Sequence, residues 1–293
     1  MKMKLKTTLL FFGLLLGIQT LFGQSLFYFN AGDTTLVFGE RVNVRNQPGT
    51  ESPVAFQLAA GDMVILLEER EERTTLNKLD LPWYKIKTAS GQTGFIWGGV
   101  LSLWGAQQDG DVKFVAGALQ SDGKNAEQDG VPTYTFEMRA VRNGAVVGKV
   151  STTIQNEGKV RPRPIETGAR GLQGYRSLLC FDIGMDACGY PNHEWYVLWD
   201  GQKLVQLPVI TSIADADVFY HVEDYVFPEG SPFDESMGHF GDPNLIYLRI
   251  AHGEKEELDD NKGWNENSWE RARPMRWDGK QFVKPKDMGE PKN

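Results

Sequence analysis

The sequence predicts an all-β protein. Short runs rich in Val, Ile, Phe, Tyr and Thr alternate with turn residues along the whole chain after the first two dozen positions. The chain holds 32 glycines, which suits many tight turns. Stretches with helical period are absent from the same region, apart from Glu68 to Lys78, which reads as a charged insertion or one short helix.

The first segment reads as an export signal. Lys2, Lys4 and Lys6 form a positive start, Leu9 to Leu16 an apolar run broken by Gly13, and Gly23 a small residue before the cut, which puts the signal at residues 1–23. The run is interrupted by Gln19 and Thr20 and is shorter than the ~20 residues a membrane span needs. No later segment is apolar enough to span, so the mature chain is expected to be exported, periplasmic or secreted, without a membrane span. Removing residues 1–23 takes three lysines and no acid, leaving 28 basic against 39 acidic side chains and a net charge of −11. That balance excludes nucleic acid as a partner, because phosphate binding needs clustered Lys and Arg.

The next element spans residues 36–104. Val42-Asn43-Val44-Arg45 alternates apolar and polar side chains, so one face points inward. Pro48-Gly49 makes a turn. Gly61-Asp62 precedes the apolar run Met63 to Leu67. Trp83, Tyr84 and Ile86, then Gly94-Phe95-Ile96-Trp97, supply the large side chains of a small barrel, with Gly91 and Gly94 bracketing a turn.

In that order and spacing these pieces resemble a bacterial SH3 (SH3b-like) domain. The resemblance implies a binding module of the cell envelope that recognises cell-wall peptide, hence peptidoglycan, or docks an envelope protein. Arg45, Asn46, Trp83, Tyr84 and Trp97 are the candidate contacts, because aromatic and Arg surfaces are where binding energy concentrates. The alternative for Trp83 and Tyr84 is that they fill the barrel. The insertion from Glu68 to Asp80 would alter the surface beside any groove.

A polar joint follows at residues 105–110, then a second β-rich domain over residues 111–283, sandwich or propeller-like. Its strand runs are Asp111 to Ala116, Tyr134 to Val141, Ala145 to Ile154, Trp195 to Trp199, Val218 to Phe227 and Leu245 to Ile250. Gly158 to Gly174 is a basic loop rich in Pro and Gly. Asp200-Gly201, Asp278-Gly279 and Asn143-Gly144 each sit between apolar runs, the signature of a two-residue hairpin. Residues 284–293 read as a frayed tail.

No catalytic residues are assigned, and neither a metal nor another cofactor is expected. Cys180 lies in an apolar run rather than at a helix start that would lower its pKa. The four histidines are scattered. The acidic run Glu254 to Asp260 lacks the central Gly of a Ca²⁺ loop. Cys180 and Cys188 are either a disulfide or two reduced thiols. Trp264, Trp269 and Trp277 are either a sugar-stacking surface or half-buried strand residues.

The expected function is thus exported, non-catalytic binding in the envelope. A hydrolase would need Asp182, Asp186, His193 and Glu194 to cluster in a pocket. A structural scaffold is the third class.

Overall fold

A computed structural model describes residues 29–104, 107–124, 129–155, 158–185, 187–216, 218–229, 242–257, 264–278 and 281–289. Residues 1–28, which include the expected export signal, Asp186, His239, the end of the acidic run from residue 258, Gly279 and residues 290–293 lie outside the described residues. Among the described residues the chain is built from strands and two short 3-10 turns, as expected of an all-β protein, and no helix is long and apolar enough to cross a membrane.

The first sheet is a curled half-barrel of β1 (Thr34–Leu36), β2 (Arg41–Arg45), β3 (Val54–Ala59), β4 (Met63–Leu76), β5 (Leu79–Thr88) and β6 (Thr93–Trp97), in the order β1-β4-β5-β6-β2-β3. Period-two alternation sends Val42, Val44, Val64, Leu66, Tyr84, Ile86 and Ile96 inward, where they form one core. Glu68 to Lys78 is neither helix nor loose insertion. It extends the β4–β5 hairpin, with register shifts between Leu66 and Glu68 and between Glu69 and Arg73. Asn77 and Lys78 close it with φ of 51° and 61°, the two positive values that a type I′ turn requires.

The second sheet holds β7 (Gln107–Asp109), β8 (Val112–Ser121), β9 (Thr133–Arg142) and β10 (Ala145–Gln155), in the order β10-β9-β8-β7. Asn143-Gly144 turns β9 into β10 with both φ values positive, as its sequence predicts. Each face of this sheet meets a different neighbour. Val115 and Val141 pack on Leu36, Phe38 and Ala60 of the half-barrel side. Phe114, Ala116, Phe136 and Met138 point the other way, towards Phe181, Trp195, Val197 and Trp199.

Those last residues belong to the third sheet. It contains β11 (Lys159–Pro162), β12 (Glu166–Thr167), β13 (Ser177–Gly184), β14 (Asn192–Trp199), β15 (Leu204–Gln206), β16 (Ile210–Asp215), β17 (Phe219–Val226), β18 (Tyr247–Glu257) and β19 (Trp264–Pro274). A two-stranded ribbon, β20 (Arg276–Trp277) with β21 (Phe282–Val283), follows. Sheets two and three stack face to face, so of the two arrangements expected for this region the sandwich is the one formed. The third sheet also curls on itself: Leu178, Cys180, Tyr196 and Leu198 share a core with Tyr225, Leu248 and Ile250 from its far strands.

The residue just before the expected joint is tightly held. Trp104 is buried, donates its indole N–H to the Arg163 carbonyl at 2.9 Å and packs edge-on against Phe181. Leu79, Leu81, Trp83 and Trp97 from the half-barrel lie in the same core as Phe114 and Trp199. Of the expected tail, Met288 is buried in the third sheet's core and the Asp287 carbonyl accepts from Arg271, while Gly289 is exposed.

Candidate functional site

The five side chains expected to contact a ligand divide into three groups. Trp83 and Trp97 are cross-strand partners on β5 and β6, on the outer face of the half-barrel. Both are buried, because the β4–β5 hairpin and the second sheet cover that end of the face. Their indole nitrogens are occupied: Trp83 donates to the Thr74 hydroxyl at 2.8 Å and Trp97 to the Thr74 carbonyl at 2.9 Å. Tyr84 points inward into the barrel core and donates to Glu69 at 3.0 Å. Burial, with the Glu69 carboxylate beside it, pushes the Tyr84 phenol well above its ordinary range. Only Arg45 and Asn46 remain at the surface. Asn46 is exposed with its backbone N–H on the Pro53 carbonyl, and Arg45 is half-buried with one guanidinium N–H on the Ser52 carbonyl.

Arg45 leads to the part of the outer face that is open. One row of register partners runs across four strands: Glu68, Lys85, Phe95 and Arg45. Lys87, opposite Ile65 and Thr93, forms the next row. Beside them, Met63, Ile65 and Leu67 of β4 are 44, 38 and 39% exposed, an apolar stripe at an open surface. None of the ion pairs formed among the described residues includes Arg45, Lys85 or Lys87; Glu68, the register partner of Lys85, is bridged to Arg70. A face that combines an aliphatic stripe, a half-buried Phe and three uncompensated cations suits an extended ligand with apolar and anionic groups. Sequence reading passed over it, although Met63 to Leu67 carries the signal: five apolar residues in a row imply a strand with both faces covered, and here only Val64 and Leu66 are.

A second polar constellation lies in the third sheet. Cys180 faces Tyr196 and Asp182 faces Glu194 across β13 and β14, and one ligand atom from each of Cys180, Asp182 and Glu194 lies within 4.8 Å of the others. The Arg163 guanidinium covers this group. It donates to Asp182 at 2.9 Å, to the Tyr196 hydroxyl at 3.1 Å and to Glu194, while Tyr196 donates to Glu194 at 2.7 Å. One fixed cation thereby bridges both carboxylates, the arrangement of a structural ion-pair network. Burial pushes the Cys180 thiol up, away from the thiolate form that a nucleophile needs. His193 leaves the opposite face and bonds Thr211 at 2.9 Å, and burial lowers its pKa. Of the four residues a hydrolase would need together, Asp182 and Glu194 meet and His193 does not join them.

Cys180 and Cys188 are both free, the first buried and the second exposed. Four residues of extended strand separate Cys180 from Gly184, roughly 13 Å at 3.3 Å per residue, and Cys188 lies beyond that hairpin end. The Cα separation a disulfide tolerates is about 7 Å at most. Of the two readings, two separate thiols is the one the structure holds. Two of the three C-terminal tryptophans make separate contacts, and the Trp264 side chain lies outside the described residues. Trp269 stacks on His252, whereas Trp277 packs on Phe282 in the separate ribbon.

No curated protein and no solved structure matches the chain. Residues 40–102, which fold into β2 to β6 and the turn Gly98–Val100, match the family model of the bacterial SH3 domain.

Proposed function

We propose that this is an exported, non-catalytic binding protein of the bacterial cell envelope, and that its half-barrel recognises the peptide of the cell wall or a protein anchored there. The match of residues 40–102 to the bacterial SH3 domain carries the reading. The open outer face gives it a location: Arg45 and Asn46 at one end, Phe95 and Lys85 in the middle, Lys87 and the Met63, Ile65, Leu67 stripe at the other. An acidic chain, net −8, that keeps three unpaired cations beside an apolar stripe favours a ligand bearing carboxylates. Trp83 and Trp97 continue that face under the second sheet, and Tyr84 packs beneath it in the barrel core.

Co-sedimentation with purified peptidoglycan sacculi tests this on the full-length chain after export. The parent is expected to pellet, and Phe95→Asp combined with Lys85→Glu to stay in the supernatant with its fold intact by circular dichroism. Pelleting unchanged by that pair would remove the outer face from the proposal. No pelleting by the parent would leave an envelope protein as the partner, to be sought by crosslinking at Lys85 and Lys87.

A further inference from the structure

Two of the four histidines meet on the third sheet. His221 on β17 and His252 on β18 are register partners, so both imidazoles leave the sheet on the same side. Their ring centroids are 5.8 Å apart with 67° between the planes. Trp269, the partner of His252 on β19, stacks on the His252 ring at 5.4 Å and 26°, and Phe219 meets it edge-on at 5.4 Å. Both histidines are half-buried. Neither ring hydrogen-bonds to a described residue, in contrast to His193, whose Nδ1 is engaged by Thr211.

We propose that His221 and His252 form a two-imidazole site for a divalent first-row transition-metal ion, with Cu²⁺ bound more tightly than Zn²⁺ or Ni²⁺. Imidazole nitrogen suits these ions, and the affinity series peaks at Cu²⁺. With metal–nitrogen bonds of about 2.1 Å and a ring nitrogen about 1 Å from its centroid, two imidazoles sharing one ion have centroids about 5–6 Å apart. The observed spacing fits without backbone movement. Trp269 and Phe219 hold the His252 ring, and the broad χ2 torsion of His221 lets its nitrogen turn towards the same point. Two protein nitrogens leave the remaining positions to water or to an exchangeable ligand.

The surrounding charges are compatible with a cation. On the same face stand Glu223, next along β17, and Glu254, next along β18. Lys284 is paired with Glu223 at 2.6 Å and offsets that carboxylate's charge, and Arg271 of β19 is bonded to the Asp287 carbonyl. This site is independent of the half-barrel and of its proposed ligand.

Isothermal titration of the untagged chain with CuCl₂ in MES, a buffer that coordinates Cu²⁺ weakly, tests the proposal. One ion per chain is expected, weakened at least tenfold in His221→Gln and in His252→Gln and unchanged in His193→Gln. A variant-free measurement accompanies it: substoichiometric Cu²⁺ should selectively broaden the NMR signals of His221, His252, Trp269 and Phe219. A parent that binds no Cu²⁺, a binding isotherm unaltered in both histidine variants, or broadening centred elsewhere would overturn the site.

Discussion

Trp83 and Trp97 stand directly opposite each other on β5 and β6, and both indole N–H groups end on Thr74, one on its hydroxyl and one on its carbonyl. This single residue of the β4–β5 hairpin locks the two largest side chains of the half-barrel's outer face under the second sheet. Thr74→Val keeps the shape and the carbonyl but leaves the Trp83 N–H without its acceptor. The expected loss is about 1–3 kcal/mol, the desolvation penalty of an orphaned buried donor. Urea unfolding followed by tryptophan fluorescence measures it, and a change within error of zero would mean that water replaces the hydroxyl.

Gly117 faces Phe38 across the boundary between the second sheet and the half-barrel side. A Cβ there would lie 2.7 Å from the Phe38 ring. The ring has little room to retreat, because Arg139 covers it at 4.1 Å while bonding the Phe38 carbonyl at 2.8 Å and Glu137 at 2.6 Å. Gly117→Ala is therefore expected to destabilise the protein by about 1–3 kcal/mol, the range for overpacking. Gly91→Ala, whose Cβ would meet nothing within 4 Å, separates steric crowding from backbone strain at its positive φ. A smaller loss at Gly117 than at Gly91 would refute the crowding argument.

The strands were legible where one face alone is buried. The alternation Val42, Val44 against Asn43, Arg45 fixes the inner face of β2, and the Asn143-Gly144 hairpin follows from turn chemistry. What could not be read was which outer residues a second layer would cover. Trp83 and Phe95 lie on the same face, yet Trp83 is buried under the neighbouring sheet and Phe95 is only partly covered; that difference depends on contacts with residues far along the chain. The Glu68 to Lys78 stretch misled for a related reason. Its charges suit a solvated helix, and only the positive φ at Asn77 and Lys78, unusual for a lysine, turns it into a hairpin. The Arg163 network was equally hidden, since its carboxylates are contributed by β13 and β14 and its cation by a loop read only as basic.

Because the half-barrel and the later sheets share a core, thermal unfolding is expected to be one cooperative transition rather than two. Leu79, Leu81, Trp83 and Trp97 fall in one cluster with Phe114, Met138 and Trp199, and Lys113 reaches the Gly61 carbonyl at 2.8 Å. Differential scanning calorimetry checks this: the calorimetric enthalpy should equal the van't Hoff enthalpy. A chain lacking residues 24–104 would expose that core and is expected to be aggregation-prone. Two resolved transitions would show that the boundary near Trp104 is a true joint.

Stability is expected to fall as pH rises above about 9, through groups that the fold keeps protonated. Burial raises the Cys180 thiol above its ordinary 9.0, and it raises the Tyr196 and Tyr225 phenols above their ordinary 10.0. Each stays protonated in the native state after its unfolded counterpart has ionised. The unfolded chain then binds fewer protons, so the stabilisation present below pH 9 is lost with each further rise. Cys180 begins this loss and the tyrosines follow. Cys180→Ser should delay its onset towards pH 10. Thiol titration supplies the site-specific check: at pH 8 the native protein should present one reactive thiol, the exposed Cys188, and two only after denaturation. Two thiols reacting at equal rates in the native protein would place Cys180 at the surface and remove the basis for the pH effect.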